Sequence, residues 1–239
     1  MARLFCADFH IHTVLSGHSS PEATPTAMLA AAKAAGLEAV GFSDHVIFPE
    51  HRERPGVLRR QLPQQADGIR VYIGCEADVV SPTEISIDAA FALTVDYVLM
   101  SASHLYVPGT NHPTAGMDAS KMAAYILELM NRAIESGIAD IIAHPFGVPG
   151  SEIRFPELVE AVDRDALMRM AEPAARKGVA LELNPAFVAW VPDIAGWLFQ
   201  RFMEAGAKLA IGSDAHVPGS VGCRGPEYAS EAQLQAMGV

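Results

Sequence analysis

Leu4-Phe-Cys-Ala-Asp-Phe-His10-Ile-His12 opens the chain with an apolar, strand-like run that ends in two histidines. Side chains alternate faces along a strand, so His10 and His12 point the same way and can grip one ion from a rigid element. On the same count Asp8 shares that face and is placed to orient an imidazole. The pattern then repeats without repeating the sequence. Seven β-branched or apolar runs are readable: Leu4–Phe9, Ala39–Phe42, Ile69–Gly74, Tyr97–Ala102, Asp140–Ala143, Val179–Leu183 and Lys208–Gly212. Six of them lead into candidate metal ligands. These are His10, His12 and the later His18; His45 in Ser43-Asp-His; Glu76 in Gly74-Cys-Glu; His104 in Ser103-His; His144 in Ala143-His-Pro; and Asp214 and His216 in Gly212-Ser-Asp-Ala-His. The run ending at Leu183 instead gives Glu182-Leu-Asn184-Pro, and Asn184 reads as a substrate contact or a support for a ligand.

Helical stretches lie between the runs. Thr26–Ala35 is rich in alanine and stops at Gly36. Residues 118–136 carry Met122, Ile126, Leu129, Met130 and Ala133 at helical spacing before Gly137. Arg164–Lys177 and Ile194–Ala205 end at Gly178 and Gly206. Glu50–Leu62, Val80–Ile87 and Val107–Gly116 hold proline, glycine and charge, and read as loops or weak helix. Strands alternating with helices predict parallel βαβ units and an α/β fold. In a parallel barrel the loops at the carboxyl ends of the strands meet at one mouth. Seven imidazoles and two carboxylates would gather there, more than a single tetrahedral ion needs, so a multinuclear centre is expected.

Composition narrows the functions. The 239 residues suit one large domain, and half are hydrophobic. No apolar run approaches the ~18 residues of a membrane span. The N-terminus lacks a signal-peptide pattern, and Cys6, Cys75 and Cys223 form no CxxC pair, so a reducing cytoplasm is the expected setting. A net charge of −11 argues against binding long nucleic acid. It leaves room for an anionic substrate, because bound cations reverse the local field.

The HxH pair, the Ser-Asp-His, the glutamate after a strand, the isolated histidine, the His-Pro and the Asp-x-His resemble, in that order, the PHP (polymerase and histidinol phosphatase) family. The resemblance runs from about Leu4 to His216 and is nearest to stand-alone bacterial phosphatases of the family. It implies a single PHP domain over residues 1–239, built as a distorted (β/α)7 barrel. Its metal site would lie at the C-terminal ends of the strands. It also implies three divalent ions, zinc, iron or manganese. His10, His12, Glu76 and Asp214 would hold one; Glu76, His104 and His144 a second, making Glu76 a bridge; and His18, His45 and His216 the third. With 23 residues after His216, the closing helix is expected to be short.

The chemistry implied is hydrolysis of a small phosphorylated metabolite, a phosphomonoester, by a metal-bridging hydroxide. Catalytic candidates are Glu76, Asp214 and His216, with Arg154 and Arg224 as phosphate-binding guanidiniums. Asp214 or a metal-bound water is the candidate leaving-group acid. Alternatives are a phosphodiesterase or nuclease acting on short nucleotides, a non-catalytic metal-binding module, and a carbon–nitrogen hydrolase with a bridging lysine carbamate. The last ranks low because Lys33, Lys121, Lys177 and Lys208 occupy helix or early-strand positions. Other features have plainer readings. His51 and His112 sit in polar loops, Met122 and Met130 fill core, and Cys6 and Cys75 are small buried hydrophobes. Ser43 and Asp44 either tie a loop or support a ligand, and Trp190 is expected to pack rather than line a mouth.

Overall fold

Residues 5–238 are described by a computed structural model, so Leu4, where the first run begins, lies outside the described residues. Along the chain the strands are β1 (Ala7–Ile11), β2 (Ala39–Phe42), β3 (His45–Val46), β4 (Gln65–Ala66), β5 (Ile69–Ile73), β6 (Cys75–Ser81), β7 (Glu84–Ile85), β8 (Val98–Ser101), β9 (Ile141–Ile142), β10 (Ala180–Leu183) and β11 (Leu209–Ile211). The helices are α1 (Pro25–Ala35), α2 (Arg54–Gln61), α3 (Ala89–Ala92), α4 (Ala119–Glu135), α5 (Phe155–Glu160), α6 (Arg164–Lys177), α7 (Pro185–Trp190), α8 (Pro192–Glu204) and α9 (Glu231–Ala236).

Parallel pairing carries β1 to β2 and β2 to β5, and then runs from β6 through β8, β9 and β10 to β11. Strands β5 and β6 form one stave bent at Gly74. Below the bend it pairs with β2, and above it with β3 and β8. The circle closes where Ile11 bridges Ala215: His12 N donates to Ala215 O at 2.9 Å and Ala215 N to His10 O at 3.2 Å. The result is an α/β barrel of seven staves, distorted at Gly74, with the carboxyl ends of its parallel strands at one mouth.

The sequence reading ends its third strand at Gly74 and treats residues 80–87 as loop. The structure instead continues as β6, and β7 folds back on it in an antiparallel hairpin. Two carboxylates within Cys75-Glu-Ala-Asp78 disguise the strand, because both side chains point into the barrel instead of toward solvent. Residues 50–62, also read as loop or weak helix, form a 3-10 turn (Pro49–Glu53) and α2. The sequence pattern signals none of the short helices α3, α5 and α7.

Local signals account for the main helices. Thr24 and Asp118 accept hydrogen bonds from Ala27 N and Lys121 N at the N-termini of α1 and α4. Gly36 and Gly178 close α1 and α6 in the left-handed region that side chains disfavour. The predicted stripe of α4 is buried throughout, from Met122 to Ala133. Each large side chain in it contributes about 1.5–3 kcal/mol, so packing, more than helix propensity, holds α4 on the barrel.

The barrel interior has two floors. The lower one is apolar, built from Tyr97, Leu99, Ile141 and Ala180 with Phe9 and Tyr72 against them. Tyr97 reaches across it, its hydroxyl donating to Phe9 O at 2.8 Å. Gly41 and Gly74 make that reach possible, since a Cβ at either would collide with the tyrosine ring. Above this floor the interior is polar.

A bulge in β1 separates the floors. Asp8 lies opposite Val40 but Ile11 opposite Phe42, so β1 uses one residue more than β2 over this span. Such a slip reverses the inward and outward alternation. Phe9 therefore lines the lower floor while His10 and His12 face the upper one, and Asp8 does not share their face. Its carboxylate takes hydrogen bonds from Ser213 N, Ser213 Oγ and Gly222 N, tying β1 to the loops after β11. It also takes the backbone N–H of His10 and touches no imidazole ring.

Candidate metal centre

All nine sequence-expected ligands converge on the upper floor. His10 and His12 come from the end of β1, His45 from β3, Glu76 from β6, and His104 and His144 from the loops after β8 and β9. Asp214 and His216 follow β11, and His18 lies in the loop before α1. The seven imidazoles form a continuous cluster. Ring centroids are 4.4 Å apart for His12 and His216, 4.5 Å for His12 and His45, and 5.1 Å for His104 and His144.

Ligand atoms sharing one zinc at about 2.1 Å lie about 3–3.5 Å from one another. The first expected set is close to this spacing. His12 Nε2 is 3.3 Å from Glu76 Oε2 and 3.1 Å from Asp214 Oδ1, and His10 Nε2 is 3.4 Å from both oxygens. The other oxygen of the same carboxylate faces another pair: Glu76 Oε1 is 2.8 Å from His144 Nε2 and 3.6 Å from His104 Nε2. In the third set His18 Nε2 and His216 Nε2 approach to 2.7 Å, while the group tight enough to share an ion has His12, in place of His18, beside His45 and His216.

The donor set fits cations in a further respect. Glu76 Oε2 and His45 Nδ1 are buried without a hydrogen-bond partner, though only 2.9 Å apart. Buried polar atoms in native proteins are nearly always satisfied, and a cation between these two would satisfy both.

Six rings turn Nδ1 to a protein partner and Nε2 toward the centre, His18 among them with its Nδ1 3.4 Å from Ser16 O. His10 Nδ1 meets Glu182 Oε1 at 2.6 Å, His12 Nδ1 meets Ser16 Oγ at 2.9 Å, and His104 Nδ1 meets Asp78 Oδ1 at 2.8 Å. His144 Nδ1 faces Ser103 Oγ at 3.3 Å and His216 Nδ1 the carbonyl of Asp214 at 2.8 Å. Such partners hold the proton on Nδ1 and leave the Nε2 lone pair for a metal. Asp44, left open between two readings, supports His12 through a relay: its Oδ1 takes the Ser16 hydroxyl at 2.6 Å, and its Oδ2 takes Thr13 Oγ1.

Electrostatics follow from the crowding. Burial opposes ionisation of Glu76, but His104, His45 and His10 outweigh it and hold its carboxyl well below the usual range. Asp214 is lowered likewise, against its own burial, by His10 and His12. Burial pushes His45 and His216 down to about 4, helped in each case by neighbouring His12. His104 rises to about 9 because Asp78 and Glu76 overcome its burial. Both carboxylates are thus anionic, as ligation requires, and cations compete with protons for the rings.

Backbone strain marks the same rim. Phe146, after His144-Pro145, and Asp214 are non-glycine residues with φ of 69° and 54°, a region that costs energy and recurs at functional sites.

The centre forms one end of a cavity of roughly 400 Å3. Asn184, expected as a substrate contact or a support, lines it, its Oδ1 capping α7 at Ala186 N. Trp190, expected to pack, is instead 61% exposed and lines the mouth. The two arginines do not reach it. Arg154 is 81% exposed and faces Glu157 at 3.7 Å, and Arg224 donates to Ala34 O on α1. Each stands beside a loop of the mouth, which is all that its sequence position conveyed. His51 and His112 also lie outside the cavity lining, as expected.

Glu182, like Asp78, is a supporting residue to which the sequence reading gives no role. It holds His10 Nδ1 with one oxygen and accepts His144 N with the other, joining two of the expected sets. Its place at the end of a run, beside Asn184, was the available signal. Glu182→Gln is expected to weaken metal retention about 10–100-fold in a competition titration with a chelating dye. Gly212→Ala should also weaken retention with the carboxylate present, because its Cβ would collide with Glu182 Oε1 and with His10 Cβ. Parent-like retention by both variants would remove Glu182 from the support of the centre.

The fold and its ligand-rich mouth define an α/β barrel of the metal-site type. The family described as PHP domain matches residues 8–186, three-quarters of the chain, and the chain belongs to it. A probable histidinol-phosphatase of Deinococcus radiodurans is 28% identical over 242 residues, covering 91% of this chain and 88% of that protein. A probable phosphatase of Shewanella loihica is 31% identical over 229 residues, covering 91% and 81%. Among solved structures, histidinol phosphate phosphatase from Lactococcus lactis, complexed with Zn, L-histidinol and phosphate, shares the fold with a TM-score of 0.63. It is 19% identical, and the match covers 97% of this chain and 93% of that one. No described helix is long and apolar enough to cross a membrane.

Proposed function

We propose that this chain, one domain over residues 1–239, is a metal-dependent phosphomonoesterase acting on a small phosphorylated metabolite. A phosphatase of the PHP family is the broad assignment, resting on membership of that family and on relatives named as phosphatases. The finer assignment is three divalent ions, zinc, iron or manganese, in the three ligand sets given above. One observation carries it: the two oxygens of buried Glu76 face different groups of imidazoles, as a carboxylate bridging two cations must.

Divalent ions bound there would supply a water acidic enough to attack near neutral pH, and positive charge for the phosphoryl oxygens. No arginine or lysine lines the cavity among the described residues, so neutralising the phosphate falls to the centre itself. The chain's own residues hold and shield. Glu182, Asp78 and the Asp44–Ser16 relay fix ring orientation. Asn184, its oxygen committed to the α7 cap, has its amide nitrogen to donate to a substrate oxygen. Tyr228 donates to Ser213 O at 2.9 Å and steadies the loop that presents Asp214. The acidic net charge and the cavity of roughly 400 Å3 favour a small substrate over long nucleic acid, in a cytoplasmic setting.

The test is phosphate release from a metabolite panel by enzyme stripped of metal and reloaded with each ion in turn. Turnover should depend on metal, and 4-nitrophenyl phosphate should be cleaved faster than its bis-ester, by about tenfold or more. A metal-replete enzyme that prefers the diester would replace this reading with the phosphodiesterase one.

A further inference from the structure

The part of the cavity away from the centre has its own chemistry. Val148 and Pro149 after β9, Phe155 on α5, and Phe187 and Trp190 on α7 line it. Phe155 meets both Phe187 and Trp190 edge-on, with ring centroids 5.2 Å apart in each pair. These contacts fix the aromatic wall while 61% of Trp190 stays exposed, leaving the indole surface free for a partner. Among the described residues the only carboxylate lining the cavity is Asp214, which belongs to the ligand set, and no lysine or arginine lines it. A leaving group seated here would find rings and aliphatic carbons, with no counter-ion for an ammonium and no cation for a second phosphate.

Resting on the phosphomonoesterase reading, we infer that the site selects phosphomonoesters whose leaving alcohol carries an uncharged aromatic or compact apolar body. It does so over those whose alcohol carries an ammonium or a further phosphate. In the reaction a water oxygen bonds to phosphorus as the ester P–O bond breaks. One water proton ends on the departing alcohol, and inorganic phosphate remains at the centre. The aromatic wall lies beyond the reacting atoms, so its contribution is to bind and orient the departing body.

Alkyl esters with similarly poor leaving groups separate recognition from reactivity. The metal-loaded enzyme should cleave 2-phenylethyl phosphate with kcat/KM about tenfold or more above ethyl phosphate and 2-aminoethyl phosphate, the advantage expected from burying one ring. Trp190→Ala and Phe155→Ala should each cut the phenylethyl rate far more than the ethyl rate, and Trp190→Phe should keep most of the preference. Binding gives a readout independent of turnover. 2-Phenylethylphosphonate should change the tryptophan fluorescence, with Kd about tenfold below that of ethylphosphonate. The signal should vanish in Trp190→Phe, where Trp197 remains. Equal or better cleavage of the aminoethyl ester, or a phenylethyl preference untouched in Trp190→Ala, overturns the inference and leaves the phosphatase reading standing. Failure of every ester to release phosphate sinks the phosphatase reading instead, while tight phosphonate binding would still support the apolar pocket.

Discussion

Glu76→Gln is expected to lower kcat/KM for phosphate release by about a thousandfold or more, since on the proposed reading Glu76 would bridge two ions and underlie several kcal/mol of the transition-state stabilisation they would supply. Glutamine matches glutamate in shape, so the barrel should survive, with a far-ultraviolet circular dichroism spectrum like the parent's. It does not match in charge. The carboxylate is fully buried, with imidazoles on both oxygens, and an amide would point a donor at one side. Metal analysis should show fewer ions per chain than in the parent. A folded, metal-replete Glu76→Gln enzyme turning over at a near-parental rate would contradict the bridging role.

Stripping the ions with a chelator is expected to lower the thermal midpoint substantially. Without cations the chain must bury the mutually facing Glu76 Oε2 and His45 Nδ1 with neither hydrogen-bonded. A ligand present at about a thousand times its Kd contributes about 4 kcal/mol. At about 2–4 °C per kcal/mol for a chain of this size, the midpoint should fall by about 8–16 °C and recover on adding zinc, manganese or ferrous iron. Scanning calorimetry before and after chelation measures this. An unchanged midpoint, with metal analysis proving removal, would mean that the nine side chains hold no tightly bound ion.

Much of the candidate centre is legible because its ligands, His18 apart, follow apolar runs. His144 after Asp140–Ala143 and Asp214 after Lys208–Gly212 needed only the rule that parallel strands deliver their C-terminal residues to one mouth. The framing helices were legible from periodicity, caps and glycine stops, as in α1, α4 and α6. What stayed hidden depended on neighbours distant in sequence. Period-two counting put Asp8 beside His10, and a bulge forced by pairing with β2 undid it. Cys75–Ser81 does not read as a strand because its two buried carboxylates face histidines that come from elsewhere in the chain. Glu182 looked like one more strand glutamate until the fold set it 2.6 Å from His10. Arg154 and Arg224 show the reverse error: sequence places their backbones near the mouth, but the direction of a long side chain is decided by local partners such as Glu157 and Ala34.

The tyrosine laid across the lower floor bears on the traffic of reactants. Tyr97, Phe9 and Tyr72 pack beneath the ligands and, among the described residues, close the floor of the barrel. On the proposed reaction both products must therefore exit by the route the substrate entered. The alcohol, nearer the opening, departs first, and phosphate, held deepest, departs last. Until it goes, the next substrate waits outside, so the tenacity with which the centre grips its own product limits how fast the cycle can repeat.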